Sequence, residues 1–160
     1  MLTRKQSNYD INDWLNVERV IKYLNKTKDL GLTFNGSREK LVGYSDASLR
    51  RNDAEGFSTT GFIIKLFGDS IAWGTERQKI VATSLMEAEY VALSKTCKEL
   101  VYFKNLGKLI LKRELVTLLY EDNQAAICAA KAEVSKSLKH LVKLNYHYIR
   151  RAVLEKNVSL

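Results

Sequence analysis

A glutamate set into the apolar stripe of the longest helical pattern restricts what this chain can fold into. The stretch is Ser84-Leu85-Met86-Glu87-Ala88-Glu89-Tyr90-Val91-Ala92-Leu93, the opening of that helix. Leu85, Ala92, Thr96, Leu100, Phe103 and Ile110 fall on one face at the helical period, and Glu89 lies near the middle of that face. Glu87, roughly 160° around the helix, is expected to face water. With Ser84 or Thr83 as cap, Glu87 completes a capping box, which leaves Glu89 without a structural task. A carboxylate directed at a core is costly unless it is paired, protonated or bound to a metal ion. Two aspartates close apolar runs that read as strands: Asp46 after Leu41-Val42-Gly43-Tyr44-Ser45, and Asp122 after Thr117-Leu118-Leu119-Tyr120-Glu121. One inward glutamate and two strand-end aspartates point to a divalent-metal site.

The chain has 160 residues, 46% hydrophobic and 28% charged, which describes one ordinary globular domain. The first residues are polar and no apolar run approaches about 18 residues, so neither a signal peptide nor a membrane span is expected. Cys97 and Cys128 fall inside helical patterns and read as free, mostly buried thiols of a reducing compartment. The net charge is +8, from 26 basic against 18 acidic residues. Residues 131–160 hold seven Lys/Arg against two Glu, a distribution that suits a polyanionic partner and equally a solvated basic face.

Residues 12–25 carry Trp14, Val17, Val20, Ile21 and Leu24 at helical spacing, with Asp13 as a cap. Residues 1–38 read as an appendage and 39–160 as the main domain. In that domain the pattern predicts a buried strand at 41–47, a polar loop at 48–56, and a strand at 57–67. A tight turn at Gly68-Asp69 then leads into 70–74, which makes Asp69 a turn residue in preference to a ligand. The long helix follows over 84–111. After it come a strand at 115–121, a short helix at 123–131, a last helix at 137–155, and a strand beginning at 157–160. This order implies an α/β fold. Its mixed sheet, covered by helices, has a three-stranded antiparallel meander joined by a parallel strand through a right-handed crossover.

In such a sheet the strands ending in Asp46 and Asp122 are parallel neighbours with their C-terminal ends at one edge, and the start of the crossover helix brings Glu89 to them. Each aspartate alone is more simply a turn or cap residue; the trio carries the argument. Hard oxygen ligands suit Mg²⁺ or Mn²⁺. Two such ions about 3.5–4 Å apart are a general device for displacement at phosphodiesters.

The strings Gly43-Tyr44-Ser45-Asp46-Ala47, Ser58-Thr59-Thr60-Gly61-Phe62, Ser70-Ile71-Ala72-Trp73, Glu87-Ala88-Glu89-Tyr90-Val91-Ala92-Leu93, Glu121-Asp122-Asn123-Gln124-Ala125-Ala126 and Lys139-His140 with Tyr146-His147-Tyr148-Ile149-Arg150 run in order over residues 41–151. Together they resemble the ribonuclease H domain of the Pol polyprotein of copia-type LTR retrotransposons. The helix at 12–25 resembles the family's junction out of reverse transcriptase. The resemblance implies a ribonuclease H-like fold and cleavage of the RNA strand of RNA/DNA hybrids with Mg²⁺ or Mn²⁺. Asp46, Glu89 and Asp122 become the catalytic and metal-binding residues, with Glu87 the alternative to Glu89. Ser84, Asn123 and Gln124 become hybrid contacts, helix capping being the equal alternative for these polar groups. It further implies the reverse transcriptase domain of the same polyprotein as a partner, and a cytoplasmic, particle-associated or nuclear location without secretion. The family's fourth carboxylate comes from an Ala-Asp pair in a helix beyond the fifth strand, and no counterpart occurs here. The chain therefore reads as C-terminally truncated, with that strand and the final helix missing or incomplete and one metal site weakened. His140 and His147 share a helix face and read as surface or core-edge residues in preference to metal ligands. The competing reading is an inactive or co-opted relic that acts as a nucleic-acid-binding or structural module.

Overall fold

The computed structural model describes residues 8–36, 40–49, 56–131 and 140–160, with side chains in the opening turns of the last helix (140–144 and 146) left aside. The chain divides into two compact units, residues 1–33 and 34–160. The boundary expected at 38/39, most of the loop at 50–55 and the start of the last predicted helix lie outside the described residues. The first unit holds helix α1, Ile11–Thr27, with no buried residue. Its cap is Asp10, not Asp13. Asp10 Oδ1 accepts the Asp13 N–H at 2.8 Å and Asp13 Oδ2 accepts the Asp10 N–H at 3.1 Å, so the aspartate expected as cap is the third-position partner of a reciprocal box.

The second unit contains strands β1 (Lys40–Ser48), β2 (Thr59–Leu66) and β3 (Asp69–Arg77), helix α2 (Leu85–Leu111), strand β4 (Val116–Tyr120), and helices α3 (Gln124–Lys131) and α4 (His140–Leu154). The sheet order is β3-β2-β1-β4. β1 pairs antiparallel with β2, β2 antiparallel with β3, and β1 parallel with β4, as the sequence pattern implies. The meander turn falls one residue earlier than expected. Leu66 pairs with Asp69, and the two residues between them, Phe67 and Gly68, both adopt positive φ, 55° and 95°. A two-residue hairpin needs that conformation, which glycine adopts freely; Phe67 accepts it while its side chain packs against the core. Asp69 is free of the turn and accepts the N–H groups of Asn35 and Gly36, both at 2.8 Å, on Oδ2.

Along β1 the residues alternate strictly: Leu41, Gly43, Ser45 and Ala47 are buried, while Lys40, Tyr44, Asp46 and Ser48 are exposed. The buried face lies against α2 so closely that a Cβ on Gly43 would sit 2.7 Å from Leu100 Cδ1. Leu41, Ile64, Tyr90, Leu93, Cys97, Leu100, Leu119, Ile149 and Val158 form the core between sheet and helices. Of the apolar stripe on α2, Ala92, Thr96 and Leu100 are fully buried, but Leu85 and Ile110 at its ends are 45% and 66% exposed. A 27-residue helix is about 40 Å long and overruns the strands it crosses, so its end positions are less covered by the described sheet. Cys97 is buried and its thiol is pushed up to about 12 by that burial. Cys128, expected inside, is exposed. α3 faces the core through Ala126 and Ala130, four residues apart, and Cys128 midway between them falls on the opposite side. At the C-terminus Val158 is buried and Ser159 bridges parallel to Leu118, the only element of a fifth strand among the described residues. On the sheet face away from α2, Trp73, Ile63, Tyr44 and Tyr120 stand in register across all four strands, each exposed, with the two tyrosine rings stacked at 5.3 Å.

Candidate active site

The approach to α2 decides between its two glutamates. Ser84 caps the helix by accepting the Glu87 N–H at 3.1 Å on Oγ. The Glu87 carboxylate turns back to accept the Thr83 N–H at 2.6 Å and the Thr83 hydroxyl at 2.7 Å. Glu87 thus staples the residue before the cap, and it is buried at 6% exposure where the helical wheel puts it in water. The wheel fails because four successive residues, Glu87 to Tyr90, are enclosed. Gln78, buried beside them, gives its Nε2–H to Thr60 Oγ1 at 3.1 Å and to the Ala88 carbonyl at 2.9 Å, tying the first turn of α2 to β2.

Glu89 has a different environment. It is 4% exposed, its carboxylate accepts the Ala47 N–H, and its Oε2 is buried with no hydrogen-bond partner among the described residues. The overhang of β1 accounts for the first contact: pairing with β4 ends at Tyr44 and Tyr120, while β1 continues to Ser48. Burial is the largest influence on Glu89, followed by the negative charges of Glu121, Asp46 and Asp122, and together they raise its pKa from the ordinary value of 4.5 to about 7. Carboxylate oxygens of Glu89, Glu121 and Asp122 lie within 4.8 Å of one another.

Glu121 is the site residue that the sequence reading passed over. Thr117 and Leu119 of β4 are buried, so a strand continued by one step turns Glu121 to the same inward face. The signal was the one that singled out Glu89, a carboxylate at an inward position. The β1–β4 register sets Glu121 beside Ser45, whose hydroxyl donates to Glu121 Oε2 at 2.5 Å. The Asn123 N–H donates to Oε1 at 3.2 Å. Burial raises the Glu121 pKa, these two bonds oppose it, and Asp122 adds to the rise. Asp122 follows in the bend after β4 and is exposed. Asp46 is exposed on the outward parity of β1 and outside the three-residue cluster, yet its charge is among those that act on Glu89.

Of the expected hybrid contacts, Ser84 and Asn123 both act as helix caps: Asn123 Oδ1 accepts the Ala126 N–H at 3.0 Å at the start of α3. Gln124 is exposed in the first turn of the same helix. His147 lies exposed on α4, and the side chain of His140 lies outside the described residues.

The donor set fits a hard divalent cation. Three carboxylates converge, and one of the three residues, Glu89, also has a buried oxygen with no hydrogen-bond partner among the described residues. No family model matches the chain. Its fold is that of ribonuclease H: a ribonuclease H1 isolated from compost by a metagenomic approach superposes with a TM-score of 0.54 and 22% identity over 75% of this chain and 81% of that one. In sequence, its homologues are the retrovirus-related Pol polyproteins of copia-type transposons. The Pol polyprotein from transposon TNT 1-94 of Nicotiana tabacum is 31% identical over 147 residues, 92% of this chain and 11% of that protein. The chain thus spans about a tenth of the polyproteins it matches. A protein named Secreted RxLR effector protein 161, of Plasmopara viticola, is 40% identical over 90 residues, 56% of this chain and 63% of that protein.

Proposed function

We propose that this chain is a retrotransposon ribonuclease H that hydrolyses the RNA strand of RNA/DNA hybrids, with Asp46, Glu89 and Asp122 holding Mg²⁺ or Mn²⁺. The observation that carries this reading is the buried Glu89, with an unpartnered Oε2, in a cluster with the carboxylates of Glu121 and Asp122 and under the charge of Asp46. The homology and the fold support an RNA/DNA hybrid as the substrate class. Divalent ions bound there supply charge neutralisation at the attacked phosphodiester and promote ionisation of the attacking water. The chain's own residues prepare the place. Gln78 and Ser84 fix the first turn of α2, and the Ala47 N–H fixes one side of the Glu89 carboxylate. Ser84, Asn123 and Gln124 stand at the two helix starts nearest the cluster, where polar groups can meet 2′-hydroxyls and phosphates of a hybrid.

In the polyprotein setting of its homologues, the partner is the polymerase that makes the hybrid. The test is cleavage of end-labelled RNA/DNA hybrid, RNA/RNA and DNA/DNA duplexes of one sequence in Mg²⁺ and in Mn²⁺. Hybrid RNA alone should be cut, and Asp46→Asn should reduce the rate by at least about 100-fold, the scale expected for loss of a group that stabilises the transition state. Hybrid binding without any cutting would favour a binding module; equal cutting by wild type and Asp46→Asn would overturn the site assignment.

A further inference from the structure

The string Ser58-Thr59-Thr60-Gly61-Phe62 opens β2 and holds no acidic residue, so the proposed chemistry leaves it without a task. Thr60 and Gln78 are both buried, at 1% and 4% exposure. A primary amide carries two N–H donors on one nitrogen. Gln78 gives one to Thr60 Oγ1, at 3.1 Å, and the other to the Ala88 carbonyl, at 2.9 Å. Its backbone N–H donates to the Ser58 carbonyl at 2.8 Å, so main chain and side chain both join Gln78 to the start of β2. The Ala88 carbonyl has a second lone pair for this bond beside the one that serves the helix. Only the amide nitrogen can donate to a carbonyl, which fixes the orientation of the Gln78 side chain. Its oxygen is left buried with no hydrogen-bond partner among the described residues. Thr60 stands opposite Ala47 in the β1–β2 ladder, and the Ala47 N–H donates to the Glu89 carboxylate. The contacts therefore close a ring that runs from the Glu89 carboxylate through Ala47, Thr60, Gln78 and Ala88 back to Glu89. One β1–β2 pair holds Glu89 twice, by its carboxylate through Ala47 and by its main chain through Gln78.

We propose that Thr60 and Gln78 are positioning residues for Glu89: their hydrogen bond, continued to the Ala88 carbonyl, sets where the first turn of α2 stands over β1 and so keeps the Glu89 carboxylate on the Ala47 N–H. The kinetic consequence rests on the reading of the chain as a ribonuclease H; the hold on Glu89 does not. Apolar contacts are non-directional, whereas a hydrogen bond fixes distance and angle together. A displacement of about 1 Å at a reacting group costs on the order of 100-fold in rate, so a small shift of this turn is enough to matter. Both residues act through Glu89 and not on the substrate.

The experiment follows amide hydrogen exchange of the whole chain in EDTA, which needs neither substrate nor metal ion, with kcat and KM for hybrid cleavage as the second readout. Thr60→Val keeps the β-branched shape and loses the acceptor, Gln78→Met keeps the length and loses both donors, and Thr60→Ser keeps the hydroxyl. Folding of each variant is checked by circular dichroism, and Thr60→Val decides alone if Gln78→Met does not fold. In Thr60→Val and Gln78→Met the Ala47 N–H should exchange at least about tenfold faster than in wild type. The Leu119 N–H of β4, bonded to the Ser159 carbonyl at 2.8 Å, should stay within about threefold. Thr60→Ser should return Ala47 to within about threefold of wild type. On the hybrid, Thr60→Val and Gln78→Met should lose at least about tenfold in kcat with KM within about twofold, and Thr60→Ser should recover kcat. If Ala47 and Leu119 accelerate together, the pair stabilises the fold as a whole and the proposal falls. It falls equally if Ala47 exchange and kcat both stay within about twofold of wild type. If wild type cuts no hybrid while Ala47 responds as described, the ribonuclease reading falls and the hold on Glu89 stands.

Discussion

At the scale of single residues, Glu89 and Glu87 show how two glutamates of one helical turn are separated by what surrounds them. Glu87 accepts two hydrogen bonds from Thr83 on one carboxylate oxygen, and Glu89 keeps a bare oxygen inside the fold. The sequence identified Glu89 correctly as the inward residue of the α2 stripe, because period and apolar neighbours are local properties. It misplaced Glu87 in water, because its partner Thr83 precedes the helix and leaves no periodic trace. Without a bound cation, the elevated Glu89 pKa links stability to pH in a defined direction. The folded pKa, about 7, exceeds the unfolded value near 4.5, so the unfolded chain gives up this proton first as pH rises. The group's contribution is therefore fully present below about pH 4.5 and is lost as pH climbs through 7. In EDTA the Tm should fall between pH 5 and pH 8. Glu89→Gln, which keeps an acceptor for the Ala47 N–H, should flatten that slope and raise the Tm at pH 8. An increase of roughly 2–8 °C follows from about 1–2 kcal/mol after allowance for solvent screening. A Glu89→Gln protein with the wild-type pH profile in EDTA would contradict the environment described for this side chain.

At the scale of elements, the site depends on how closely α2 lies on β1. Gly43 supplies the close approach: a methyl group there meets Leu100 Cδ1 at 2.7 Å, Leu100 Cγ at 2.9 Å and Thr96 Cγ2 at 3.1 Å. Leu100 and Thr96 are fully buried, so neither can move aside into solvent. Gly43→Ala is expected to cost about 1–3 kcal/mol by overpacking, lowering the Tm by roughly 2–12 °C in thermal unfolding. A Tm within about 1 °C of wild type would show that helix and strand are less closely apposed. Strands β1, β2 and β4 and helix α2 were legible from period-two and period-3.6 patterns, and their boundaries moved by only a few residues. The hairpin turn was harder to place. Gly68 marks it, but whether a glycine fills the first or second turn position depends on the register of the whole β2–β3 ladder. The inward direction of Glu121 was legible only after β4 was paired, since its neighbour Ser45 is 76 residues away in sequence.

At the scale of the whole molecule, two properties act together: a net charge of +8 and a cluster of three carboxylates beside the end of β4, with Asp46 close enough for its charge to act on it. On the proposed function, the net positive charge suits a hybrid's phosphates, and cations at the acidic cluster would admit them. Hybrid binding in Ca²⁺ should accordingly weaken by about tenfold or more between 50 and 200 mM salt, as counterions released by phosphate contacts are returned. Affinity independent of salt would remove the electrostatic part of the account. The central claim is that the carboxylates at the ends of β1 and β4 form a cation-dependent hydrolytic site for hybrid RNA. The most direct measurement is the cleavage rate of a labelled RNA/DNA hybrid by wild type and by Asp122→Asn in Mg²⁺, each repeated in EDTA. The account predicts cutting by wild type in Mg²⁺ alone, reduced at least about 100-fold in the variant. Cutting that persists in EDTA, or that Asp122→Asn leaves intact, would contradict it.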